Sequence, residues 1–173
     1  MFDEPELAAA RSVRAAWRAD EEIWARAALS RWEHGRSLVD VLRDSMHRGD
    51  TVAIGFPSCT FTGPLTAVGR DVARITTPAG GVDVRIDPAM PAVVRVVHAA
   101  KGGGGRGDDT VITFVARLRQ LEGTTVRLGV GAGDEVTGVL GLGRDHVTVV
   151  EGDGVRAYVP TASVRWLRPD DDD

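Results

Sequence analysis

Histidine, cysteine and closely spaced carboxylates are the side chains in this chain that could do chemistry at neutral pH. The four histidines, His34, His47, His98 and His146, lie far apart in sequence. None shows the His-x-x-x-His or Glu-x-x-His spacing that aims two ligands of one helix at a metal, so they read as single surface histidines. Cys59 stands in "SCT" at 58–60, in a turn after Pro57. No neighbouring His or amide hole is there to activate a thiolate, so it reads as an ordinary residue. As the one cysteine it also excludes an internal disulfide and a thiolate zinc site. Asp71 and Asp145 close matching Gly-Arg-Asp triplets at 69–71 and 143–145, but as turn residues of separate segments they share no evident substrate. The four consecutive glycines of "KGGGGRGDDT" at 101–110 lack the Gly-Lys-Ser/Thr that completes a phosphate loop and read as a linker. The expectation is a non-enzyme with no metal, no cofactor and no small-molecule substrate.

Composition narrows the class further. A chain of 173 residues with 43% apolar content can bury a core. Twenty arginines against the single Lys101 read as the codon usage of a GC-rich bacterial genome. A net charge of -4 argues against a surface that grips phosphate everywhere, while leaving room for a local basic patch. No apolar run reaches the roughly 18 to 20 residues of a membrane helix, and the acidic start "MFDEPEL" lacks the basic and apolar regions of a signal peptide. A cytoplasmic protein with no membrane contact is expected.

The elements that must position any binding surface begin with a helix over 5–34, a stretch free of glycine whose one proline stands at its start. At roughly 100° per residue, Val13, Trp17, Trp24 and Ala28 form a narrow stripe, and Trp32 extends it. Trp buries a large area per residue, so Trp17, Trp24, Val13 and Trp32 are the candidate partner-binding face. A platform for nucleic-acid bases is the second reading. Arg11, Arg14 and Arg18 flank the stripe and, with Arg70, Arg74 and Arg144 near the two Gly-Arg-Asp turns, are the candidate phosphate contacts. Gly35 is expected to end this helix as a left-handed cap.

The rest of the chain is a repeat. "GPLTAVGRDVARITT" from Gly63 matches "GVLGLGRDHVTVVE" from Gly138, and "RGDTVAI" at 48–54 matches "EGTTVRL" at 122–128. Toward the end of each half, "VDVRIDP" at 82–88 sets against "VRAYVPT" at 155–161, and Val94-Arg95-Val96 against Val164-Arg165-Trp166. Each half reads as a short amphipathic helix (38–47; 112–121) and five strands (51–56, 60–68, 72–77, 81–86, 92–97; 125–130, 135–142, 146–151, 154–159, 163–167), separated by Gly, Pro and Asp turns. Gly63 and Gly138, in mid-strand, permit sharp bends. Pro57, Pro64 and Pro88 are expected to obstruct edge pairing.

This order of helix, Gly-x-x-Val, mid-strand glycine, turn Asp and closing "YVPTASVRWL" resembles the Sm-like, SH3-type small barrels over about 37–97 and 111–168. The resemblance implies a mainly β fold with some α: an N-terminal helix at 1–36, a first five-stranded barrel at 37–98 and a Gly-rich linker at 99–110. A second barrel at 111–168 and an acidic tail at 169–173 follow, each barrel being preceded by its short helix. RNA-binding members carry Asn shortly after the first Asp and a basic-glycine step later. Here Val-Ala-Arg follows Asp71, His-Val-Thr follows Asp145, and "RIDP" and "YVPT" stand at the second motif, so that uridine pocket is missing. The functional expectation is a non-catalytic scaffold docking a protein partner or itself through the Trp-lined helix. The alternative is a nucleic-acid-binding regulator of transcription or RNA.

Overall fold

The computed structural model describes residues 4–87, 92–101, 107, 113–131 and 133–170, with side chains from Arg14 onward apart from Glu33. The chain divides into two compact units, Met1–Ser37 and Leu38–Asp173.

The first unit is α1 (Glu4–His34), 31 residues long, about 46 Å at 1.5 Å per residue. Pro5 sits in its first turn, where a missing N–H costs nothing. At its end the Gly35 N–H donates to the Arg31 carbonyl at 3.1 Å. Gly35 is absent from the glycines with positive φ, so the expected left-handed cap is replaced by one more helical bond.

The second unit holds α2 (Leu38–Arg48), β1 (Thr51–Gly55), β2 (Thr60–Val68), β3 (Val72–Thr77), β4 (Gly80–Arg85) and β5 (Val93–His98). The repeat follows with α3 (Phe114–Gln120), β6 (Thr125–Val130), β7 (Asp134–Leu142), β8 (His146–Val150), β9 (Arg156–Pro160) and β10 (Val164–Pro169). Leu42 and Met46 are the buried face of α2. Gly49, at φ 76°, ends it in the left-handed region open to glycine, while Asp50 N–H reaches back to Ser45 O at 2.9 Å. Thr113 caps α3, its hydroxyl accepting from Ala116 N–H at 3.1 Å.

The ten strands form one open antiparallel sheet in the order β5-β1-β2-β3-β4-β10-β6-β7-β8-β9. This overturns the expectation of two separate five-stranded Sm-like or SH3-type barrels. The mainly β character, the N-terminal helix and a short helix ahead of each set of strands are present. The repeat is visible as one strand order used twice, joined where β4 pairs with β10 through Val84–Trp166 and Asp83–Leu167. The halves are not separate because each lends side chains to the other's core. Trp166, from the last strand, lies in the cluster of Leu42, Met46, Ile54 and Ile75, its ring edge-on to Phe61 at 5.0 Å. Ala67 and Val72 in return pack with Phe114, Leu118 and Leu128.

Ladder registers revise the sequence matching of the closing strands. Val93 and Val94 face Gly55 and Ile54, whereas Trp166 and Leu167 face Gly129 and Leu128. The counterpart of Trp166 is therefore Val93, not Val96. Likewise Val84 and Asp83 face Ala73 and Arg74, as Val159 and Tyr158 face Val147 and Thr148, so Asp83 corresponds to Tyr158. Gly63 and Gly138 are true counterparts, since a Cβ on either would run into a carbonyl oxygen of the next strand, of Thr76 or Val150. Pro64 does not block pairing: it sits opposite Thr51 in β1, and the ladder to β3 begins at Leu65. Pro88 lies outside the described residues.

Candidate functional site

In α1, Trp17, Trp24 and Trp32 are 75%, 70% and 55% exposed, and Ile23 and Leu29 are exposed as well. Trp17 and Trp24 are seven residues apart and fall within about 20° of each other around the axis. Asp20 and Glu21 lie between them and join them in lining one shallow groove. The Arg36 guanidinium lies 4.3 Å from the Trp32 ring centroid, a cation–π contact that holds the last Trp of the helix. Arg26 and Glu22 form an exposed pair one turn apart at 3.8 Å, a contact of little energetic weight. The backbone at Val13 belongs to the helix, while the side chains of Val13 and Arg11 lie outside the described residues. Arg14 and Arg18 are exposed on the same helix.

The remaining arginines separate into two kinds. Arg70 and Arg144 are exposed at equivalent hairpins, closed by Gly69 N–H to Val72 O at 2.8 Å and by Gly143 N–H to His146 O at 2.9 Å. Arg74 is not a free basic contact. Its Nε and Nη2 donate to the two carboxylate oxygens of Asp83 at 2.8 and 3.2 Å, and Arg117 Nε adds a third bond to Asp83 at 2.8 Å. Asp83 is buried, so both guanidiniums are held where a buried carboxylate needs them. Sequence reading placed Arg74 with the phosphate contacts because its partner lies across a strand pair, visible only in the ladder register.

Burial pushes the Cys59 thiol above its ordinary range, away from the thiolate a nucleophile requires. His34 Nδ1 is 2.6 Å from the Ser30 carbonyl one turn earlier, and His146 Nδ1 is 3.0 Å from Asp145 Oδ1. Among the described residues no group of three His, Cys, Asp or Glu side chains could hold a metal ion, and no helix is long and apolar enough to cross a membrane. The glycine run at 102–105 and the acidic residues 171–173 lie outside the described residues.

Two exposed features escaped the sequence reading. The outer strands β5 and β9 carry exposed Val93, Val96, Val97 and Tyr158. Leu38, at the start of α2, is exposed, whereas Phe114, at the start of α3, is buried. The available signal was the run "VVRVVH", whose two Val-Val pairs put apolar residues on both faces where a half-buried strand would alternate. Comparison of the chain with protein-family models, curated proteins and solved structures finds no match.

Proposed function

We propose that this chain is a non-catalytic scaffold that docks a protein partner, a second copy included, through α1. The observation that carries the reading is the exposure of Trp17, Trp24 and Trp32 along one helix. Exposed apolar surface of this extent marks interaction sites in soluble proteins, and Trp is among the residues that dominate binding energy once buried in an interface. Asp20 and Glu21 beside the rings suit a partner with basic side chains flanking an apolar groove.

The test compares the full chain with its Trp17→Ala/Trp24→Ala variant, reading mass by light scattering and recovery of a partner identified by mass spectrometry. The reading expects unchanged helicity and loss of the heavier species or of the partner, at about 2 kcal/mol or more for each buried Trp. Equal mass and equal recovery overturn it. A nucleic-acid role is the second reading, motivated by exposed Arg70 and Arg144 at matching turns. It requires RNA or duplex DNA binding that weakens steeply with salt and falls in Arg70→Ala/Arg144→Ala.

A further inference from the structure

Among the described residues, β5 and β9 each have one strand neighbour and one open edge. The repeat says what such edges can pair with, because their counterparts already pair inside the chain. In strand order β10 corresponds to β5, and β4 to β9, and β10 is joined to β4. Residue by residue, Trp166 and Leu167 correspond to Val93 and Val94, while Val84 and Asp83 correspond to Val159 and Tyr158. Copying the internal pairs Trp166–Val84 and Leu167–Asp83 onto the open edges sets Val93 against Val159, and Val94 against Tyr158, of another chain.

Three further observations fit this copied seam. The positions that would be covered are now open: Val93 is 51% and Tyr158 63% exposed, whereas Trp166 and Asp83 are buried. The turn contact also has a solvent-exposed counterpart carboxylate, that of Asp145, which is bonded to its neighbour His146 at 3.0 Å. Phe114 is the first residue of α3, and its N–H donates to Asp71 of the first Gly-Arg-Asp turn at 2.8 Å. Leu38 is the first residue of α2, and the side chain of Asp145, in the second such turn, is 87% exposed.

Finally, the charges change together. Arg74, Asp83 and Arg117 make the internal ion-paired clamp. By ladder register the two strand members, Arg74 and Asp83, have the neutral counterparts Thr148 and Tyr158. Losing one of the two would leave a charge to be buried unpaired, whereas losing both leaves a neutral strand contact that can close without that penalty. Pro160 lacks an N–H but lies one residue beyond the two-pair register.

We infer that a second copy of this chain docks the β5 edge and the start of α2 onto the β9 edge and the Gly143–Asp145 turn, repeating the β4–β10 seam between molecules. The contact is head-to-tail, so each added copy presents the same open edge again, and the assembly grows until it closes into a ring or continues as a filament. It would array several copies of α1. It uses no residue of that helix and stands whether or not α1 docks a partner.

Cysteine pairing tests the register in the full chain carrying Cys59→Ser. Directly opposed residues of antiparallel strands have Cα atoms about 4.5 to 5.5 Å apart, within the range a disulfide spans. Val93→Cys and Val159→Cys proteins, each alone, should stay uncross-linked on mild oxidation, and their mixture should give a covalent dimer. Val94→Cys with Tyr158→Cys is the second pair and should behave alike. Tyr158→Lys should shift the mass of the otherwise native protein to the 18.4 kDa monomer. Three results overturn the inference: no cross-link in either mixture, cross-linking of a single variant as strong as that of the mixture, or native protein that is monomeric at every concentration.

Discussion

Asp50 and Asp83 are the two buried carboxylates among the described residues, and each is held by different means. Asp50 Oδ1 accepts the Ala100 N–H at 3.0 Å, and Arg48 donates to Oδ2 at 2.9 Å through Nε. The backbone bond first, then the Arg48 contacts, hold this carboxyl below its ordinary value of 3.8 against the opposing effect of burial. A depressed folded-state pKa contributes stability that is present above the unfolded-chain value and is lost as pH falls through the folded one. Asp50→Asn should therefore be less stable than the native chain at neutral pH. It should also lose less of its stability on acidification below 3.8, as read from urea midpoints across that range. Parallel acid limbs for the two proteins would reject this role. Asp145 is also lowered, first by its bond from His146. Because its side chain is exposed, solvent screening leaves that shift little weight in folding.

At the scale of elements, Asp83 ties β4 to β3 through Arg74 and to α3 through Arg117, so one carboxylate fixes a strand pair and the helix that covers the seam. Arg85 supports the same junction, its Nη1 donating to the Thr161 carbonyl at 2.8 Å. Removing the carboxylate leaves two mostly buried guanidiniums without their shared partner. Asp83→Ala should cost about 3 kcal/mol or more in chemical unfolding. Arg74→Ala should then cost less in the Asp83→Ala background than in the native chain, the mark of two residues acting on one interaction. Additive losses would mean that the contacts contribute nothing in concert. The α1 helix presents the opposite case: its rings are exposed, so changes there should register in association and scarcely in unfolding.

For the whole molecule, exchange of core residues across the seam makes the two halves of the repeat interdependent. A fragment of residues 38–98 would lack Trp166, which lies in the first-half core, and Phe114, which covers Ala67 and Val72. Burying such an aromatic is typically worth about 3 to 5 kcal/mol, a large share of the stability of a small domain. The fragment should fail to fold, while residues 38–173 should unfold in a single transition, seen alike by Trp fluorescence and far-ultraviolet circular dichroism. A fragment that folds cooperatively by itself, or two resolved transitions in the longer piece, would show the halves to be independent.

What the sequence by itself determined was local. Helix 5–34 follows from a stretch without glycine, and the ten strands follow from alternation between turn residues. The equivalence of Gly63 with Gly138 and of the two Gly-Arg-Asp turns follows from repetition in near-identical words. These depend on neighbours a few residues away, and their physics is legible without a third dimension. Only the tertiary structure decided that the halves fuse into one sheet, because an edge strand has the same alternation whichever strand lies beside it. The same holds for Trp166, read as the end of its own half yet packed on Phe61 of the other, and for Arg74, read as a surface cation yet bonded to Asp83 across a strand pair. It holds too for Val93 and Tyr158, whose exposure depends on which edges of the sheet remain open. Pairing of distant edges is settled by which buried surfaces complement each other after the strands exist, and no local spacing records that choice.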